Sequence, residues 1–217
     1  MPAPRAVIWD MDGTLVDSSD YHRLAWKEAL ATVGYDMTDA DFARTFGLRN
    51  DSILRLLLGE DVTAETIRQV ETGKEAEYRR RVREDGLELL PGVARWLEHL
   101  RRDGWRQAVG SSAPKQNVDL VLDATGTARY FDVVITGGDV SKGKPDPEVY
   151  FAAAVRLGVP IDRCVVIEDA PSAIQGALSA GIRTVAVLHR VESHGADLEV
   201  DDLDQLPDDA FDRLLSA

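Results

Sequence analysis

Positive charge is scarce in this chain. Its 217 residues carry 25 lysines and arginines against 38 aspartates and glutamates, a net charge of −13. A nucleic-acid groove needs a basic face to neutralise phosphates, so this balance argues against DNA or RNA as a partner. Cysteine is nearly missing: Cys164 stands alone, which excludes a disulfide framework within the chain and a thiolate metal cluster. No apolar run approaches the roughly 20 residues of a membrane span. No secretory leader opens the sequence either, so the expectation is a cytoplasmic protein that meets no membrane. Repeats and low-complexity segments are absent. What is present suffices for a globule: 44% of the residues are hydrophobic and 29% charged, enough for one large domain or a core with a smaller insert. A small anionic ligand stays compatible, because local positive charge can oppose the global sign.

The informative stretch lies just behind the N-terminus. Ala6-Val7-Ile8-Trp9 is a short apolar run of strand formers, which reads as a buried strand. Asp10 and Asp12 follow, one residue apart, and then a Gly13-Thr14 turn. Alternate side chains of an extended segment point the same way, so both carboxylates can reach one site. Two anions held that close repel, and a bound cation or a shared proton relieves them. An acidic helix N-cap would account for one of the two, not for the pair.

From Ser19 to Gly86 the pattern is helical, with no convincing strand. A helix starts at Asp20 and ends near Gly34, with Tyr21, Ala25, Ala29 and Val33 four apart on one face. A second begins at Thr38 or Asp39, a third is capped by Asp51-Ser52, and a fourth opens at Thr63 and runs to about Asp85. After Leu87 the grammar changes to alternation. Strands are expected at 107–109, 132–136, 164–167 and 184–187, with helices from Pro91-Gly92 to Asp103, from Pro114 to Ala124, over 148–157 and from Pro171 to Ala180. Such alternation predicts a doubly wound, Rossmann-like α/β sheet of parallel strands. The acidic tail from Asp197 to Asp209 reads as a solvated face.

Ligands of open parallel sheets bind beyond the carboxyl ends of the strands. Four polar clusters fall there: Asp10/Asp12, Ser111/Ser112, the Lys142-Gly143-Lys144-Pro145 loop, and Glu168/Asp169. Each has a plain alternative as a helix cap, an exposed lysine or a turn. Gathered on one edge, they fit phosphoryl transfer. Oxygens of Asp10, Asp169 and the Asp12 backbone suit Mg²⁺. A carboxylate can serve as the nucleophile, and an ammonium with the metal neutralises the transferring group. Ser111 and the amides that open its helix would hold a phosphate oxygen. The second carboxylate can move the proton.

The ordered set Asp-x-Asp-Gly-Thr, strand-end Ser, Lys-Pro and Glu-Asp resembles the haloacid dehalogenase superfamily, over essentially the whole chain. Within it the sequence is similar to the branch of sugar-phosphate phosphatases and β-phosphoglucomutases. That resemblance implies a core of residues 1–17 and 87–217 with a helical cap inserted at 18–86. It implies Asp10 as nucleophile and Asp12 as general acid/base. Ser111, Ser112 and Lys144 would bind phosphate, and Asp10, Asp12 and Asp169 would hold Mg²⁺ with help from Glu168. His22, Arg49 and Lys74 match cap positions that face the substrate, a solvated helix surface being the alternative for each. Phe46 stands where the mutase pattern has a lysine, and Asp-Gly-Thr replaces Asp-Gly-Val. The expected activity is therefore Mg²⁺-dependent hydrolysis of a small phosphorylated metabolite by a monomer. β-Phosphoglucomutase activity is the first alternative. A non-enzymatic phospho-acceptor module is the second, disfavoured because its acceptor Asp would lie on a middle strand of the sequence.

Overall fold

A computed structural model describes residues 3–188 and 195–216. Its strands are β1 (Ala6–Trp9), β2 (Arg106–Gly110), β3 (Val133–Ile135), β4 (Cys164–Glu168), β5 (Arg183–Val187) and β6 (Leu198–Val200). They form one sheet in the order β3-β2-β1-β4-β5-β6, every pairing parallel. β1 is central, with Trp9 opposite Val109 on one side and Ile167 on the other.

The sheet has two buried faces because its strands alternate. Val7 and Trp9 point into a core that holds Trp96, Leu97 and Phe211, while Ala6 and Ile8 point into another with Tyr150, Ala153 and Leu157. Trp9 is large, fully buried and polar at one atom. Its Nε1 donates to Gln107 Oε1 at 3.0 Å, and Gln107 Nε2 donates to the Leu97 carbonyl at 2.9 Å, so the buried pair is satisfied. Helices α5 (Val93–Arg102), α6 (Lys115–Thr125), α7 (Glu148–Leu157), α8 (Pro171–Ser179) and α9 (Ala210–Ser216) cover these faces.

Four helices occupy the stretch between β1 and α5: α1 (Ser19–Ala31), α2 (Asp39–Thr45), α3 (Asn50–Leu58) and α4 (Ala64–Asp85). They enclose a hydrophobic cluster of their own, built on Trp26, Leu30, Met37, Ile53, Leu54 and Val70. Local chemistry sets their starts. Thr38 and Asp41 form a reciprocal capping box at α2, and Thr63 Oγ1 accepts from the Thr66 amide at α4. α3 begins at Asn50, one residue before the expected Asp51-Ser52 cap; its N-cap is Arg49, which makes no side-chain cap, and the Asn50 side-chain amide donates to Glu75. The chain enters and leaves this insertion at one place. Val16 bridges Leu89 antiparallel, and the Leu90 amide donates to the Leu15 carbonyl at 2.9 Å.

One expectation fails. The acidic tail is not merely a solvated face: β6 pairs with β5, and Leu203 and Leu206 are buried in the main core. The acidic residues interrupt the apolar ones there, so the pattern reads as polar although Leu203, Leu206, Ala210, Phe211 and Leu214 all point inward. Residues 189–194, which the expected core range includes, lie outside the described residues.

Candidate active site

In the order β3-β2-β1-β4-β5-β6, the winding reverses between β1 and β4. That switch point opens a crevice at the carboxyl ends of the strands. Asp10 follows directly on β1 and donates its amide to the Ile167 carbonyl at 2.9 Å, which fixes the turn beside β4. Glu168 closes β4 and Asp169 follows it, and oxygens of Asp10, Glu168 and Asp169 all lie within 4.8 Å of one another. Gly13 makes this spacing feasible. Its φ is +91°, and a Cβ there would sit 2.0 Å from Asp169 Oδ2.

Lys144 is the counter-charge. Its buried ammonium lies between Asp10 and Glu168 and hydrogen-bonds both. Glu168 is held further by the Tyr150 hydroxyl at 2.9 Å and by the amides of Asp169 and Ala170. Burial, then the nearby Glu168, pushes the Asp10 carboxyl up to about 8, with Lys144 pulling the other way. Burial and the Glu168 and Asp10 charges likewise push Asp169 well above the carboxylate range. For Lys144, burial opposes the charge, but Asp10 and Glu168 outweigh it and raise its pKa. Three buried carboxylates around one ammonium form an oxygen donor set with unrelieved repulsion. A hard divalent cation fits it by donor type and by charge.

Asp12 faces elsewhere. Ser18 Oγ donates to its Oδ1, the Tyr78 hydroxyl stands 3.4 Å away, and His22 Nε2 lies 3.1 Å from the same oxygen. Despite that approach the imidazole Nε2 makes no well-aligned hydrogen bond. His22 is stacked on Tyr78 at 4.1 Å between ring centroids. Burial would raise the Asp12 pKa, but His22 and the Ser18 hydroxyl outweigh it and hold the group below its usual value.

Most of the expected residues share one cavity. Asp10, Asp12, His22, Lys74, Ser111 and Ser112 line it, with Glu168, Asp169 and Lys144 buried beneath. Ser111 Oγ accepts from the Ala113 amide at 3.0 Å. The buried Ser112 hydroxyl has no hydrogen-bond partner among the described residues. Arg49 is the exception. Its guanidinium lies against the Val140 and Ser141 carbonyls at 3.3 and 3.4 Å and pairs with Asp51, and its stem crosses Gly143. It lines a separate hollow rather than the cavity at Asp10. Lys74 is present but committed, 2.7 Å from Glu75. Sequence reasoning missed Glu75, Asn50, Asn117 and Tyr150. Ser18, next to the acidic motif, was within reach as a partner of Asp12; the others are brought together only by packing.

A doubly wound sheet with a helical insertion after β1 and an acidic cluster at its switch point defines a hydrolytic enzyme of the α/β class. The chain belongs to the haloacid dehalogenase-like hydrolases, whose family model matches residues 4–181. A phosphorylated carbohydrates phosphatase of Thermotoga maritima is 31% identical over 89% of this chain and 90% of its own length. The β-phosphoglucomutase of Bacillus subtilis is 30% identical over 90% of this chain and 88% of its own. Among solved structures, a CbbY variant from Rhodobacter sphaeroides in complex with xylulose-1,5-bisphosphate aligns with a TM-score of 0.83 and 26% identity, over 94% of this chain and 96% of that one. No helix among the described residues is long and apolar enough to cross a membrane.

Proposed function

We propose that the chain is a Mg²⁺-dependent phosphatase that hydrolyses a small phosphomonoester, a sugar phosphate, through a phosphorylated Asp10. The carrying observation is the division of labour between two carboxylates one residue apart. Asp10 sits in the acidic cluster beside Lys144, while Asp12 is turned to Ser18, Tyr78 and His22. Asp10, Asp169 and the Asp12 backbone would hold the metal, with Glu168 behind, and when bound it would neutralise charge on the phosphoryl group. Asp10 attacks phosphorus and its bond to the alcohol oxygen breaks. Asp12 gives the departing oxygen its proton, then takes one from the water that cleaves the acyl phosphate. Lys144 stabilises phosphate oxygens, and the unpartnered Ser112 hydroxyl, with Ser111 and the first amides of α6, offers further donors. The four helices of 18–86 would close over the bound substrate and exclude water.

The phosphatase named among the relatives supports this reading. The mutase relative supports a second one, in which phosphate returns to a bound sugar phosphate. Colorimetric phosphate release from a panel of sugar monophosphates decides between them. Release is expected with Mg²⁺ and no bisphosphate activator, and it should vanish with a chelator. Asp10→Asn should abolish turnover with the fold intact, and Asp12→Asn should cost ~10²–10⁴ in rate. Conversion of β-glucose 1-phosphate to glucose 6-phosphate much faster than phosphate appears would establish the mutase instead.

A further inference from the structure

Glu75 takes no part in that chemistry, yet it is buried in the wall of the same cavity. Burying a carboxylate is costly unless it is paired and hydrogen-bonded, and here three elements meet to hold one. Its Oε1 accepts from Lys74 Nζ at 2.7 Å and from Asn50 Nδ2 at 2.7 Å. Its Oε2 accepts from Asn117 Nδ2, and Asn117 Oδ1 in turn accepts from Arg79 at 2.9 Å. Burial opposes its charge, but Lys74 and His22 outweigh that and hold the group below its usual pKa. The anion is thus built in, not incidental.

Its partner matters as much. Lys74 is the only lysine or arginine among the described residues lining this cavity. Its ammonium also lies 5.2 Å from the Trp26 ring centre and 5.4 Å from that of Tyr78. With Glu75 beside it, that positive charge is cancelled where the part of the substrate remote from phosphorus would lie. Arg49 is turned away to the Val140 and Ser141 carbonyls. The rest of this wall is largely apolar: Trp26, Phe42, Phe46, Leu48 and Ile53.

We propose that Glu75 is a specificity-determining residue. By neutralising Lys74 it admits monophosphates whose leaving group is uncharged and rejects those bearing a second phosphate or a carboxylate. A distal anion would give up its hydration and find no net positive charge in return, which is rejection by uncompensated desolvation rather than selection by fit. This rests on the phosphatase reading, so binding and hydrolysis are measured separately.

Calorimetry with Mg²⁺ in the Asp10→Asn background compares glucose 6-phosphate with fructose 1,6-bisphosphate. With Glu75 in place, the monophosphate should bind at least about tenfold more tightly. Adding Glu75→Gln should erase most of that preference by freeing Lys74. Adding Lys74→Met to Glu75→Gln restores neutrality and should restore the preference. Equal or tighter binding of the bisphosphate with Glu75 present overturns the proposal. So does a preference that survives a folded Glu75→Gln protein, and so does failure to bind either sugar. If Glu75→Gln does not fold, the parent and the doubly neutral variant still decide it. Release of phosphate from p-nitrophenyl phosphate by the wild type tests the hydrolase reading on its own.

Discussion

At Gly13 the backbone of the acidic motif and the side chain of Asp169 share space that no methyl group can enter. Gly13→Ala would place a carbon 2.0 Å from Asp169 Oδ2 on a backbone whose φ is +91°. The expected outcome is a loss of about 1–3 kcal/mol in stability and of most activity, read by thermal melting and phosphate release. Asp10 carries the opposite expectation. Its carboxyl is raised from 3.8 to about 8, chiefly by burial. Between those values the folded chain keeps a proton that the unfolded chain has released, so metal-free stability falls as pH rises through that window. Asp10→Asn removes the effect. In metal-free buffer the variant should match the wild type near pH 4 and exceed it by on the order of 5 kcal/mol at pH 8, about four pH units at about 1.4 kcal/mol each, as denaturant titrations at the two pH values would record. A wild-type stability that rises from pH 4 to 8 would contradict the assignment.

Elements differ in how openly the sequence announces them. The expected helix at 148–157 and the strand ends at Asp10, Gly110 and Glu168 were legible because apolar runs stop abruptly at polar or glycine residues. The candidate site groups were legible for the same reason: they follow strand ends, where a parallel sheet brings residues distant in sequence to one edge. β6 and α9 were hidden. Each is short, and acidic residues between 197 and 212 mask the spacing of the apolar ones. Glu75 was hidden differently, since nothing local says that α3, α4 and α6 converge on it. The hidden elements are nonetheless structural. Phe211 packs edge-on against both Trp96 and Trp105. Phe211→Ala should therefore cost about 3–5 kcal/mol, whereas a tail that only faced solvent would show almost no change in melting.

For the molecule as a whole, the position of the helical insertion against the sheet is the variable that counts. Arg49 ties α3 to the loop that delivers Lys144, by two backbone carbonyls and by packing across Gly143. Hydrogen bonds from a charged donor contribute about 1.5–3 kcal/mol. Arg49→Ala should accordingly loosen the hold of the helical insertion on the sheet, with a larger radius of gyration in solution scattering. KM should rise by about tenfold and kcat should fall less, as for lost binding rather than lost chemistry. Unchanged scattering together with unchanged KM would show that the contact holds nothing.

The insertion begins and ends where Val16 meets Leu89. Because its two ends are stitched side by side, the sheet receives the same two strands whatever lies between them. What lies between them does not enter the strand order, although Ala25, Tyr78 and Val82 of this stretch also pack into the main core. Heredity could thus rewrite much of the cavity wall in one segment, so long as His22 and Tyr78, or equivalents, still stand beside Asp12. The same seam marks where an engineer would cut to graft the lid of one relative onto the body of another.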